Sequence, residues 1–279
     1  MPTAPTTFIA RPPTPRLQRH HPLARGLVID LCLGDTNGTR WRNLATPNAY
    51  GVTPASLGVA GGSPVVVGGP YGPAIYCTGG ASVMVPDFGN LAAGDFTVRI
   101  IHRPRTWSAN DYVTLFDKGS GANTREMAIF VDRNGNVHYA TIGGIDSIPS
   151  VSTAMAAGGL YDFVLTRSGT VCTSYVDGIA RGTFGNDGTS ATPASFSLGG
   201  NPSGSGSLYD GDYHLFQVWA GRCLSPAEIL TLAGPDKFVL ERPVAPRVSL
   251  RPSVAAAAAP AGADTIVRIL TTARRRRSG

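Results

Sequence analysis

Carboxylates are the first residues to weigh, because two of them on one sheet face can cleave a glycosidic bond, one as acid and one as nucleophile or base. A strand puts residues i and i+2 on the same face, so such pairs show as period-two spacing. The chain has only three Glu: Glu126, Glu228 and Glu241. Glu126 precedes an apolar run with no carboxylate two residues away, Glu228 falls in a helix-capping pattern, and Glu241 stands where a tail begins. Asp210-Gly211-Asp212 has the spacing, but the triplet reads more simply as a turn. Nucleophilic catalysis finds no Gly-x-Ser-x-Gly elbow, and His102, His138 and His214 lie in separate strand candidates, with His20 and His21 in an N-terminal arm. The chain is expected not to be an enzyme.

Binding chemistry has more candidates. Asp177, Asn186, Asp187, Asp210 and Asp212 are oxygen donors in turn-like segments that suit calcium. Of these, Asp187, Asp210 and Asp212 are weak metal candidates, because turn formation explains them better, and no cofactor is expected. Cys32, Cys77, Cys172 and Cys223 sit singly in or beside apolar runs, without zinc spacing, and read as buried thiols. Aromatic rings beside polar groups bind sugars. Trp107, Tyr112, Tyr209 and Trp219 are the candidate glycan platforms, although aromatics in strands are usually core.

Charge divides along the chain. The 279 residues carry 24 Lys+Arg and 18 Asp+Glu, a formal net charge of +6. Residues 1–25 hold four Arg and no acid, and 242–279 hold eight Arg and one acid, Asp264. The stretch between them is therefore acidic, at −5. Arg11, Arg16 and Arg19 at one end, and Arg268, Ile269, Arg274, Arg275, Arg276 and Arg277 at the other, are candidate contacts to a protein partner. Basic arms diluted by proline suit an acidic or grooved neighbouring surface, ordering on binding. Nucleic acid is not expected as partner, because the body is acidic. No stretch of 18 apolar residues occurs, so no membrane span is expected, and no secretory signal is read.

The elements that would position these residues are short strands. Gly and Pro number 35 and 22, a load that excludes a helical bundle. Strand candidates are Leu27–Leu33, Ala74–Cys77, Ser82–Val85, Phe96–His102, Tyr112–Asp117, Met127–Asp132, Asn136–Thr141, Tyr161–Thr166, Val171–Asp177, Ser195–Leu198 and Tyr213–Trp219. Asn134-Gly135 is the strongest hairpin signal. One helix is well specified, with Ser225 at the N-cap, Pro226 at N1, Glu228 at N3 and Gly234-Pro235 as its stop. The expected architecture is an all-β antiparallel two-sheet sandwich over 26–240, between an extended arm (1–25) and a Pro/Ala/Arg-rich tail (241–279).

Two segments carry a family resemblance. LYDFVLTRSGTVCTSYVDGIARGTF (160–184) and FSLGGNPSGSGSLYDGDYHLFQVWAGRCLSPAEILTLA (196–233) resemble the closing segments of laminin-G-like domains, most specifically at Tyr175-Val176-Asp177-Gly178 and Leu224-Ser225-Pro226-Ala227-Glu228-Ile229. The resemblance covers roughly residues 22–240 and implies a concanavalin A-like jelly roll. An acidic family position that helps hold calcium falls on His214 here. Domains of this kind with bare terminal extensions and no catalytic residues look like virion proteins of tailed bacteriophages. The resemblance thus implies a capsid decoration protein made in the host cytoplasm and carried on the virion surface. Its arms would bind the major capsid protein, and it would form a homo-oligomer, for which a trimer is the guess. A lectin-like module binding cell-surface glycans is the alternative.

Overall fold

Along Phe96–Ile101 the apolar side chains Phe96, Val98 and Ile100 enter one core, while Thr97, Arg99 and Ile101 turn to the opposite face. That is the two-residue period of a strand buried on both sides. The computed structural model describes residues 17–37, 40–45, 50–56, 64–69, 71–78, 81–85, 91, 94–107, 112–119, 125–132, 134–140, 155–185, 196–200 and 209–241. All of these belong to one unit, Met1–Val244.

The described strands are β1 (Leu27–Asn37), β2 (Arg40–Asn43), β3 (Tyr50–Ser56), β4 (Val65–Val67), β5 (Ala74–Cys77), β6 (Ala81–Val85), β7 (Phe96–Thr106) and β8 (Tyr112–Gly119). There follow β9 (Arg125–Asp132), β10 (Val137–Ala140), β11 (Tyr161–Ser168), β12 (Val171–Val176), β13 (Ile179–Gly185), β14 (Phe196–Leu198) and β15 (Asp210–Ala220). A 3-10 turn, Pro22–Ala24, precedes them and the helix α1, Pro226–Leu232, follows β15.

Every pairing among the described strands is antiparallel. The first sheet runs β2-β1-β15-β7-β11-β12-β13, with β5 beside the start of β15 and β4 outside β5. The second runs β10-β9-β8-β14-β6-β3. Strand β3 turns the corner between them, pairing β2 through Tyr50 and Val52 and β6 through Thr53–Ser56. This is the expected jelly-roll sandwich. Its core holds Phe96, Val98, Ile100, Phe163, Leu165, Phe216 and Val218 from the first sheet, facing Val83, Val113, Leu115, Phe116, Met127, Ile129, Val131 and Leu198 from the second.

The first sheet is also covered on its outer face. Leu23, Val164, Tyr175, Trp219, Leu224, Ile229, Leu232 and Leu240 form one apolar cluster there, and Cys32, Leu44, Ile101, Leu160, Leu215 and Phe238 another. The covering comes from residues 17–25 and 221–241. Gln18 N–H donates to the Leu240 carbonyl (2.8 Å) and Gln18 Nε2 to that of Val239 (2.8 Å), so the two covering segments also bind each other. Residues from Leu17 to Ala24 and up to Glu241 thus pack on the sheet. The rest of the two extensions lies outside the described residues.

At seven residues α1 is too short to be stable alone. Its capping box forms as the spacing predicts, with Ser225 N–H donating to Glu228 Oε2 (2.8 Å) and Glu228 N–H to Ser225 Oγ (3.4 Å). Burial of Ile229 and Leu232 supplies the rest. The Asn134-Gly135 hairpin also forms: Gly135 has φ +78°, and a Cβ there would stand 2.2 Å from the Met155 carbonyl oxygen. Cys32, Cys77 and Cys172 are buried, Cys223 is half-buried, and no two are bonded. Among the described residues no helix is long and apolar enough to cross a membrane.

Two readings of the sequence change. Asp210-Gly211-Asp212 is the start of β15, not a turn. Gly211 is required by close approach, since a Cβ would lie 2.5 Å from the Tyr209 ring and 2.6 Å from the Arg103 carbonyl oxygen. Strands β2, β3, β4 and β13 went unread because they are short, polar or broken by Gly and Pro; β13 (IARGTFG) is an exposed edge strand pairing only β12 among the described residues.

Arg99, with no exposed surface, is expected to be the most sensitive polar position. Arg99→Ala would strand the buried Asp162 carboxylate and cost about 3–5 kcal/mol in denaturant unfolding. Gly211→Ala is expected to cost about 1–3 kcal/mol in the same measurement.

Candidate functional site

The terminal segments cover the outer face of the first sheet only in part. Where β4, β5, β15 and β7 lie side by side, a row of paired residues crosses four strands: Val65, Tyr76, Asp212 and Arg103. Arg105 lies two residues beyond Arg103, on the same face by strand period. The Arg105 guanidinium stacks over the Tyr76 ring, 3.8 Å from its centroid. Its Nε donates to Asp212 Oδ1 (3.0 Å), and its Nη2 stands 2.8 Å from the same oxygen. Arg103 Nη1 stands 3.9 Å from Asp212 Oδ2, and Arg103 Nε donates to the Gly158 carbonyl at 3.2 Å.

Exposure differs sharply within this cluster. The Asp212 side chain is 4% exposed, while those of Arg103 and Arg105 are 35% and 38% exposed. A nearly buried carboxylate therefore holds two guanidiniums at the surface, one of them flat on an aromatic ring. The hydrogen bond to Asp212 raises the Arg105 pKa above its ordinary value. Asp210 lies alongside, its Oδ2 accepting from Thr106 Oγ1 at 2.6 Å, so two acids balance two bases. Such a surface offers fixed donors, acceptors and a ring edge, and suits a neutral polyhydroxylated ligand better than a strongly charged one.

The aromatic candidates separate by burial. Trp107 is half-buried at the rim beyond β7, its Nε1 donating to the Met155 carbonyl (2.7 Å) and its ring 6.3 Å from that of Tyr209. Tyr209 is fully buried, its hydroxyl bonded to His102 Nδ1 at 2.8 Å. Trp219 is fully buried under the covering segments and donates from Nε1 to the Leu23 carbonyl at 2.6 Å. Tyr209 and Trp219 thus present no open ring face, because apolar packing claims them. Tyr112 begins β8, and its side chain lies outside the described residues. Tyr76 was missed, since nothing in Ala74–Cys77 separates an outward ring from a core one until β5 is placed beside β15.

The remaining candidates are less informative. Asp187 lies outside the described residues, and Asp210 and Asp212 are engaged as above. Among the described residues no group of three or more His, Cys, Asp and Glu side chains could hold a metal ion. Arg19 is exposed, with Nη2 3.4 Å from the Leu44 carbonyl; Arg11, Arg16, Arg268, Ile269 and Arg274 to Arg277 lie outside the described residues.

Among the described residues the acids and His102 are mostly engaged or buried. Glu228 is used by the helix cap. Asp30 and Glu241 do come together, which no spacing announced, but both are fully buried where a substrate cannot reach. Burial, and next the neighbouring His214, bring His102 down to about 3. A native pKa below the unfolded value means the unfolded chain gains a proton first, so His102 costs stability as pH falls below about 6.5. Its ring proton resonances are expected to stay flat between pH 8 and pH 5; a titration midpoint near 6.5 would contradict this packing.

No curated protein matches the sequence. Solved structures do, at identities where the likeness is one of fold. Domain 4 of AbnA, an extracellular arabinanase from Geobacillus stearothermophilus solved in complex with arabinotriose, has a TM-score of 0.56 at 20% identity, covering 74% of this chain and 98% of that one. A Trypanosoma rangeli sialidase in complex with sialic acid has 0.56 at 18% identity, over 75% of this chain and 32% of that one. Botulinum neurotoxin type C, whose cell entry depends on two ganglioside molecules, has 0.56 at 14% identity, over 75% of this chain and 51% of that one. The chain therefore spans about a third of the sialidase and half of the neurotoxin chain. The fold serves enzymes and binding domains alike. Residues 78–230, more than half of the chain, match the laminin G-type model of the Concanavalin A-like lectin/glucanases superfamily, and the chain belongs to this family.

Proposed function

We propose that this protein is a non-catalytic carbohydrate-binding domain that engages a neutral glycan across Tyr76, Arg103, Arg105 and Asp212. The observation that carries the reading is the buried Asp212 carboxylate holding two surface guanidiniums, one stacked on Tyr76. Pre-aligned donors of this kind bind hydroxyls with little ordering cost. Support comes from the arabinotriose complex of one structural neighbour and the ganglioside dependence of another. Calcium is not required by this arrangement.

A glycan array should give a signal that Tyr76→Ala and Arg105→Ala each reduce at least tenfold, with the far-ultraviolet spectrum unchanged. A silent array for the wild type would overturn the reading.

A second reading concerns where the domain works, and the charge division favours it. Two basic, Pro-rich extensions flank an acidic body. In this reading the chain decorates a bacteriophage capsid, the extensions attaching to the major capsid protein, with the jelly roll outward and assembled as a homo-oligomer. Because Leu17 and Gln18 pack on the body and Glu241 is buried, the informative truncations remove 1–16 or 242–279. Each should leave the thermal midpoint within a few degrees while lowering incorporation into particles; undiminished incorporation by both would remove this reading.

A further inference from the structure

Two carboxyl groups lie against each other where the C-terminal segment closes over the first sheet. Asp30 of β1 and Glu241 are both fully buried. Gln217 of β15 stands between them, its Nε2 donating to Asp30 Oδ1 (3.2 Å) and to Glu241 Oε1 (2.6 Å). Both hydrogens of that amide are thereby used. The second oxygens, Asp30 Oδ2 and Glu241 Oε2, are buried and accept no hydrogen bond.

Burial raises both acids' pKa values by more than the charge of Arg99 lowers them. Arg99 spends Nε (2.9 Å) and Nη2 (2.7 Å) on the Asp162 carboxylate and Nη1 on Gln217 Oε1 (3.0 Å), so the amide separates it from both acids. Lys237 Nζ turns to Asp177 Oδ1 at 3.0 Å, with Asp162 Oδ2 at 3.9 Å. The N-terminal segment packed on Val239 and Leu240 brings Arg19, His20 and His21, of which Arg19 and His20 are exposed and His21 half-buried. Two buried carboxylates this close, with no cation of their own, cannot both be ionised.

We propose that Asp30 and Glu241 share a proton and form a proton-operated clasp, which holds the root of the C-terminal extension on the sheet and loosens it as that proton is lost. The clasp fixes the last described residue of the body, from which the basic extension departs. It therefore links proton concentration to how that extension is presented, independently of any glycan. Burial pushes the Asp30 carboxyl up to about 6, and burial with the Asp30 charge drives Glu241 well above the usual carboxylate range. A closed state that binds protons more tightly than the open one is favoured at low pH. Closure weakens as pH rises from about 4 through these native values.

Amide hydrogen exchange on the full chain reads this directly. The amides of Glu241, bonded to Phe238 O, and Gln18, bonded to Leu240 O, report the clasp, while Val98 in the core reports global unfolding. Protection at Glu241 and Gln18 should fall about tenfold per pH unit between pH 5 and 6.5, with Val98 protected throughout. The double variant Asp30→Asn/Glu241→Gln keeps the shape and removes both ionisable groups, so its protection should vary less than threefold over that range. Wild-type protection that stays flat, or a double variant that keeps the wild-type slope, would overturn the clasp.

Discussion

Arg99 is the constraint around which the outer half of the molecule is organised. A guanidinium with no exposed surface is tolerable only when its charge is paired and its donors are met. Asp162 supplies the pairing, on the next strand and on the same face. Gln217 and the carbonyls of Leu232 and Lys237 take further donors, at 3.0, 2.9 and 2.8 Å. Those two carbonyls belong to the end of α1 and the segment after it. The closing segment is therefore needed by the sheet as much as the sheet is needed by the segment. Asp177 extends the network in a left-handed conformation (φ 50°), with its Oδ1 accepting from Asp162 N–H at 3.1 Å and from Lys237.

The same residue types behave differently a few positions along β7. At Arg99 the outer face is dry, and arginine and aspartate there hold layers together. At Arg103 and Arg105 the covering has ended, and a comparable set of charges meets water. Solvent screening makes this second cluster worth little to stability, while its donors stay accessible. A ligand can only use the second. Division of labour on one sheet face thus follows from where the terminal segments stop, and the reading of a binding surface rests on that boundary.

An irregularity in β15 makes both halves compatible. Its register against β7 shifts between Tyr213 and Leu215. Asp212 faces outward and Tyr213 inward, its hydroxyl donating to the Leu115 carbonyl at 2.9 Å. Beyond the shift, Leu215 joins an outer cluster while Phe216 and Val218 enter the core. Strict alternation from Tyr213 would have turned Phe216 and Val218 outward, so the extra residue resets the face.

Much of this molecule could be read along the chain. Strand positions, the Asn134-Gly135 turn and the Ser225–Glu228 cap depend on local period, left-handed tolerance and short-range hydrogen bonds, and those are properties of neighbouring residues. The division of charge between body and extensions is likewise composition. What stayed hidden depends on partners far away in sequence. Whether Trp219, Tyr209 or Tyr76 shows an open ring is decided by what packs above it. The meeting of Asp30 with Glu241, and of Arg99 with Asp162 and Lys237, needs strands brought side by side by the sandwich itself. The sequence by itself therefore determined a β-sandwich with one capped helix and basic ends. Only the tertiary structure decided which charges are buried as scaffold and which face a ligand, because burial belongs to the assembled layers and not to any residue alone.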